Sequence, residues 1–102
     1  MFARTILVGL TLSLTSGGLG YAQVTSYCSI VDNGTRWKIS ATNTKTYDQT
    51  CNFTCDLRRF DGTKFTANCR IAVRGRSTRV EVCSNIADRR LRGVIRVDDN
   101  CD

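Results

Sequence analysis

The apolar and polar residues of this 102-residue chain alternate with a period of two over most of its length. Such alternation, bounded by turn residues, predicts β-strands with one buried and one exposed face. An opening strand is predicted over Val24–Val31 and a last one over residues 94–97. Between them, the inward positions are expected to be Trp37, Ile39, Ala41, Cys51, Phe53, Cys55, Leu57, Phe65, Ala67, Cys69, Ile71, Val73, Val80 and Val82.

Turn residues separate the predicted strands. Residues 32–35 (Asp-Asn-Gly-Thr) favour a tight hairpin turn, because Asn and Gly tolerate positive φ. Residues 43–49 are predicted to be a polar loop, and residues 74–77 (Arg-Gly-Arg-Ser) a break. Residues 84–92 fit either a strand or a short helix that Ser84 would cap and Gly93 would follow. The expected fold is all-β: a small disulfide-stapled β-sandwich or barrel with a short helix near 85–92.

The first 22 residues have the pattern of a secretory signal peptide. Arg4 precedes an apolar run over residues 6–14, and Gly20 and Ala22 place small residues at −3 and −1. We therefore expect cleavage after Ala22, which leaves residues 23–102 as a single disulfide-rich β domain. The apolar run is too short to span a bilayer, so the protein is expected not to be membrane-spanning and to be secreted or periplasmic.

All six cysteines lie after the predicted cleavage site, where an oxidising compartment favours three disulfides. A three-residue loop at 61–63 would set Cys55 opposite Cys69, and it would match apolar faces throughout the hairpin by pairing Leu57 with Ala67 and Phe53 with Ile71. A two-residue loop at 61–62 would instead turn one face to water. We therefore expect Cys55–Cys69. The other four cysteines allow three pairings, of which Cys28–Cys51 with Cys83–Cys101 would tie down both termini.

A further signal comes from residues 41–62, where the segment Ala41-Thr42-Asn43-Thr44 precedes a polar loop, the strand Phe53-x-Cys55-x-Leu57 and the turn Phe60-Asp61-Gly62. This arrangement resembles exported Ig-like β-sandwich modules of the FxLYD kind. The resemblance covers about a third of the chain and departs from the Leu-Tyr-Asp signature, which here is Leu57-Arg58-Arg59. It implies a sandwich fold and a binding or accessory role, with no catalytic residues to carry over.

The charge of the chain is basic: 15 Lys and Arg against 9 Asp and Glu, a net charge of +6. Such an excess serves solubility or attracts an anionic partner. Two runs of arginine stand out late in the chain. If they meet in space, they would form a phosphate- or sulfate-binding patch, because guanidinium groups make paired hydrogen bonds to such anions. The candidate anion-binding residues are Arg74, Arg76, Arg79, Arg89, Arg90 and Arg92.

Few residues offer catalytic chemistry. The chain has no histidine, which removes the commonest general base and metal ligand. The acidic residues near the end (Asp98, Asp99 and Asp102) are expected to be a solvated tail rather than a weak cation site. The pair Cys51 and Cys55 has one residue too many for a redox motif and lacks a second pair for zinc. We therefore expect no enzyme activity, no metal and no cofactor.

Aromatic residues and glycosylation motifs complete the candidates. Trp37 is in phase with the buried face, which favours a core position over an exposed stacking platform. Tyr27 and Tyr47 are less constrained and could lie at the surface. Asn33 and Asn52 begin glycosylation acceptor triplets, which matter only in a eukaryotic host.

Together these features predict an exported, non-enzymatic binding or accessory module that contacts an anionic surface through an arginine-rich loop. The partner could be an anionic polysaccharide, a lipid headgroup or a protein, and no sequence-specific nucleic-acid motif is present. Two alternatives stay open: a secreted effector (an antimicrobial, toxin or inhibitor), and a structural component of the cell envelope.

Overall fold

Six antiparallel strands and one 3₁₀ turn make up the computed structural model, which describes residues 24–102; the predicted signal peptide and its cleavage site at Ala22 lie outside these residues. The elements are β1 (Val24–Val31), the 3₁₀ turn (Asp32–Gly34), β2 (Arg36–Asn43), β3 (Gln49–Arg59), β4 (Lys64–Val73), β5 (Ser77–Ile86) and β6 (Leu91–Cys101). The strands form two three-stranded sheets, ordered β1–β2–β5 and β4–β3–β6. The all-β prediction is confirmed.

The core is built on the inward faces of β2 and β3, the central strand of each sheet. These strands show the cleanest alternation because both edges are paired and one face is covered. The predicted inward residues of both strands are buried: Trp37, Ile39, Ala41, Cys51, Phe53, Cys55 and Leu57. On the edge strands the prediction is confirmed for Ala67 and Val73 of β4, which are buried, and it is wrong for Ile71 of β4, which is 40% exposed, and for Val80 of β5, which is 38% exposed. An edge strand has a neighbour on one side only, so fewer of its side chains are covered.

Residues 84–92 form no helix. Ser84 lies in β5, which ends at Ile86, and Leu91 opens β6. The side chain of Leu91 is 2% exposed, and its backbone lies opposite Arg59 at the end of β3. Gly93, expected after a helix end, lies within β6. Strand pairing and burial of Leu91 keep this segment extended, so the predicted short helix is wrong.

The β3–β4 hairpin has the predicted faces but a different register. Phe53 lies opposite Cys69, and Cys55 lies opposite Ala67, which is a shift of two residues from the prediction. The loop is 60–62, because the Arg59 N–H donates to the carbonyl oxygen of Thr63 at 2.9 Å. A shift of two residues leaves every side chain on its own face, so matching apolar faces could not distinguish the two registers.

Three disulfides staple the strands: Cys28–Cys55, Cys51–Cys101 and Cys69–Cys83. The first joins β1 to β3 and the third joins β4 to β5, so both connect one sheet to the other; the second joins neighbouring strands of one sheet. The predicted pairings Cys55–Cys69, Cys28–Cys51 and Cys83–Cys101 are all wrong. The first depended on the wrong register, and the other two were chosen among three remaining pairings because they would tie down both termini.

Candidate anion-binding site

The six candidate arginines lie at opposite ends of the molecule. Arg74 and Arg76 belong to the loop between β4 and β5, and Arg79 lies near the start of β5; Arg89 and Arg90 follow the other end of that strand, and Arg92 lies in β6. A ten-residue strand spans about 33 Å, which is too far for one patch. The two runs therefore do not meet, and the condition for a single anion-binding patch of all six arginines is not fulfilled.

At one end, here called the braced end, arginines hold three turns together. It comprises turns 32–35, 60–63 and 87–90. Arg59 donates from Nε and Nη2 to the two carboxylate oxygens of Asp88, both at 3.2 Å. Arg89 pairs with Asp61 across the same turns. A guanidinium group bound in this way has a structural role and little freedom to bind another anion.

Arg90 is also committed to the braced end. Its Nε donates to the backbone carbonyl of Asn33 at 3.0 Å, and its Nη2 donates to the Asn33 side-chain oxygen at 3.2 Å. The guanidinium carbon lies 5.0 Å from the centre of the Phe60 ring, within cation–π range. Of the late-run arginines at this end, Arg92 alone has neither an ion pair nor a side-chain hydrogen bond among residues 24–102.

Asp61 shows the electrostatic character of the braced end. The hydroxyl and the backbone N–H of Thr63 both donate to its carboxylate, and these hydrogen bonds lower the pKa of Asp61 below its ordinary value. Nearby Arg89 lowers it further. The charge of Asp61 is therefore retained to lower pH and helps to fix the 60–63 turn.

At the opposite end, here called the basic end, loops 44–48 and 74–76 lie against each other. The Arg76 N–H donates to the carbonyl oxygen of Lys45 at 2.8 Å, and the Gly75 N–H donates to the carboxylate of Asp48 at 3.0 Å. Gly75 allows this contact, because a Cβ there would lie 2.6 Å from the carbonyl carbon of Thr46. The basic side chains of this end are Lys45, Arg74, Arg76 and Arg79.

A buried asparagine connects the two loops. Asn43 is fully buried, and its amide nitrogen donates to the carbonyl oxygens of Tyr47 and Val73, each at 3.0 Å. Its side-chain oxygen accepts the N–H of Lys45 at 3.0 Å. Asn43 therefore satisfies backbone groups of loop 44–48 and of the last residue of β4, so that the loops carrying the charges are fixed relative to the sheets.

The basic side chains of this end are not neutralised. Within the described part of the chain, none of them forms an ion pair with an acidic residue. Two of them lie over aromatic rings: the Arg79 guanidinium carbon is 4.6 Å from the centre of the Tyr27 ring, and Lys45 Nζ is 5.9 Å from that of Tyr47. Both tyrosines are exposed, as expected. The basic end therefore combines uncompensated cations with exposed aromatic surface.

The backbone of the basic end is unusual at two arginines. Arg76 has a φ of 58° and Arg79 a φ of 49°, both in the left-handed region. For a residue with a Cβ this conformation costs roughly 1–2 kcal/mol. At Arg76 the cost is offset by the hydrogen bond to loop 44–48. A glycine would adopt these backbone angles more easily, so the arginines adopt them at an energetic cost.

The remaining candidate groups lie elsewhere. Trp37 is 6% exposed and belongs to the core, as predicted. Asp98 and Asp99 are part of β6 rather than a tail: Asp98 pairs with Arg96 at 2.8 Å, and Asp99 accepts a hydrogen bond from Ser26 at 2.7 Å. Within residues 24–102, no three His, Cys, Asp or Glu residues form a group that could hold a metal ion.

A shallow open depression of about 330 Å³ lies on the β4–β3–β6 sheet. Its polar lining is largely engaged internally, because the Thr54 hydroxyl donates to the Asn68 side-chain oxygen at 3.0 Å and Arg70 pairs with Asp102 at 2.7 Å. Asn52, which begins a glycosylation triplet, is exposed at its rim. This depression offers fewer free donors than the basic end.

The sequence does not identify three contributors to the basic end as site residues. Asn43 is predicted to begin a polar loop, although it continues the buried series of Trp37, Ile39 and Ala41 at the same period of two. Lys45 carries no local signal, because its position beside Arg76 depends on loops that are far apart in sequence. For Tyr47 the sequence offers only a possible surface position.

Comparison with known proteins adds no assignment: no protein-family profile, curated protein or solved structure matches the chain. The likeness to FxLYD modules stays a resemblance of short segments. No helix among residues 24–102 is long and apolar enough to cross a membrane.

Proposed function

We propose that this protein is an exported, non-enzymatic binding module that attaches to an anionic surface or polymer through its basic end. The observation that supports the proposal most directly is the contrast between the two ends. Arginines at the braced end are bound to carboxylates and carbonyls, whereas Lys45, Arg74, Arg76 and Arg79 have no acidic partner in the part of the chain that the structure describes. Cations left unpaired on a fixed platform are available to phosphate, sulfate or carboxylate groups.

The rigidity of the basic end also favours binding. The buried side chain of Asn43 and the close packing of Gly75 hold the two loops in one arrangement. A prearranged set of cations loses less conformational entropy when it binds than flexible side chains on mobile loops do. The left-handed backbone at Arg76 and Arg79 is in keeping with selection for a site at the expense of stability.

Export is part of the proposal. The predicted signal at 1–22 would deliver the chain to the periplasm or the exterior, and the three disulfides suit an oxidising compartment. The expected partners there are the exposed phosphates of lipids, the sulfates and carboxylates of polysaccharides, or acidic protein surfaces.

The test compares two variants of the oxidised mature protein with identical net charge. Arg74, Arg76 and Arg79 are replaced by serine in one variant, and the second carries serine at Lys64, Arg92 and Arg96, exposed positions outside the basic end. Binding to anionic lipid vesicles, a sulfated polysaccharide and duplex DNA is measured over a salt series. Each cation near an anionic surface contributes about 1 kcal/mol, so the first variant should bind about 100-fold more weakly.

The control variant should keep most of the affinity of the wild type. Equal losses in both variants would mean that net charge alone attracts the ligands, and the basic end would not be a site. Absence of salt-dependent binding to every ligand would refute the proposed function.

A further inference from the structure

Tyr47 is the more exposed of the two tyrosines at the basic end. Its side chain is 53% exposed, although its backbone is firmly held: its carbonyl oxygen accepts a hydrogen bond from buried Asn43. Its backbone nitrogen is 2.7 Å from where a Cβ on Gly75 would lie, so the neighbouring loop packs directly against it. The ring is therefore presented outward from a fixed position rather than folded onto the core.

Basic residues lie on the loop that carries this ring and on the loop that packs against it. Lys45 Nζ lies 5.9 Å from the ring centre, and Arg74 and Arg76 flank Gly75 on the adjoining loop. The acidic group between the loops, Asp48, accepts the Gly75 N–H. An amphipathic ring among long basic side chains suits the boundary between lipid headgroups and acyl chains, where tyrosine is enriched and Lys and Arg keep their charges near phosphates.

From the fixed, exposed ring and the basic residues of the two loops we infer that the partner of the basic end is an anionic lipid bilayer, and that Tyr47 enters its headgroup region while Lys45, Arg74 and Arg76 contact lipid phosphates. This inference rests on the binding function proposed above and names its partner. It also assigns an orientation, with the strands directed away from the bilayer and the braced end exposed on the far side.

The experiment uses oxidised residues 23–102 with two probes: vesicles of phosphatidylglycerol and phosphatidylcholine, and heparin. Tyr47→Ser is compared with Phe60→Ser, which removes an aromatic ring of similar exposure at the braced end. Co-sedimentation with vesicles should show about tenfold weaker binding for Tyr47→Ser and no change for Phe60→Ser. Heparin binding should be unchanged in both variants, because a sulfated chain has no apolar layer for the ring to enter.

The outcomes separate this inference from the function on which it rests. Binding to heparin without binding to the vesicles would overturn the bilayer assignment and leave the proposed function standing. Vesicle binding that Tyr47→Ser does not weaken would overturn the insertion of the ring. Binding to neither probe would refute the proposed function together with this inference. Circular dichroism of each variant serves as the control that the fold is retained.

Discussion

Asn43 is the residue whose replacement tests the architecture of the basic end most directly. Its three hydrogen bonds, each 3.0 Å long, join loop 44–48 to the last residue of β4, and its side chain is fully buried. Asn43→Ala removes all three. We expect the loops to separate and the basic end to lose its fixed arrangement, while the core between the sheets stays intact.

The magnitude follows from the burial of the partners. Each of the three hydrogen bonds contributes about 1 kcal/mol net, and the loss of the buried bond to the carbonyl of Val73 costs about 1–2 kcal/mol more, because the site is closed to water. The groups of Lys45 and Tyr47 are only partly buried, so water can replace the lost bonds there. The free energy of unfolding should fall by about 3–5 kcal/mol.

Urea unfolding of the oxidised protein measures this change, and amide hydrogen exchange locates it. Protection should fall at the amides of Lys45 and Arg76, which donate within the loop pair. Asn43→Asp keeps the acceptor for Lys45 but turns an oxygen toward two carbonyls, so it should destabilise at least as much. Asn68→Ala, at an exposed asparagine of β4, should cost less than about 1 kcal/mol.

A loss below about 1 kcal/mol for Asn43→Ala, or an Asn43→Asp variant as stable as the wild type, would refute the reasoning. Either result would mean that the buried amide does not hold the loops, and the rigidity invoked for binding would need another source.

Three further predictions test other parts of the structure. Gly75→Ala should lower the free energy of unfolding by about 1–3 kcal/mol, because its Cβ would meet the backbone of the facing loop. A Cβ added at Gly93 would have no described atom within 4 Å, so Gly93→Ala should be neutral or slightly stabilising. Equal shifts of the melting temperature in the two variants would contradict this. Asp61 has a lowered pKa in the folded state, so its contribution to the free energy of unfolding is full above its unfolded pKa of about 3.8 and is lost as the pH falls through the folded value. The difference in stability between wild type and Asp61→Asn should therefore be larger at about pH 7 than at about pH 2. A difference in urea unfolding that does not change with pH would argue against the hydrogen bonds to Asp61. Trp37 buries an indole N–H that has no acceptor within residues 24–102. Trp37→Phe should therefore lower the free energy of unfolding by less than about 1.5 kcal/mol, against about 3–5 kcal/mol for Trp37→Ala. Similar losses of stability in the two variants would show that the N–H is satisfied in solution.

The division of charge between the two ends has a consequence for mutagenesis. At the braced end, arginines act as cross-links between turns, so their removal should disturb the fold: Arg59 is 12% exposed and engages both oxygens of Asp88. At the basic end the guanidinium groups have no acidic partner within residues 24–102. If the proposed function is right, removal of charge there should weaken binding with little effect on stability.

The sequence by itself determined the strands and their buried faces. Residues Trp37, Ile39 and Ala41, and likewise Phe53 and Leu57, are buried as their period of two predicts, because a central strand with one covered face allows no other arrangement. The turn at 32–35 and the first strand also follow from local chemistry, since the positive φ that such a turn needs is tolerated by Asn and Gly.

Only the tertiary structure decided the hairpin register, the disulfides and the site. A two-residue shift keeps every face, so Cys55 opposite Ala67 rather than Cys69 could not be chosen from alternation. The pairing of Cys28 with Cys55 depends on how one sheet lies over the other. The basic end likewise depends on two loops that meet in space, and the separation of its arginines from Arg89 and Arg90 depends on the length of β5. Local patterns report the burial of each strand, and the contacts between strands distant in sequence are set by packing that no single segment encodes.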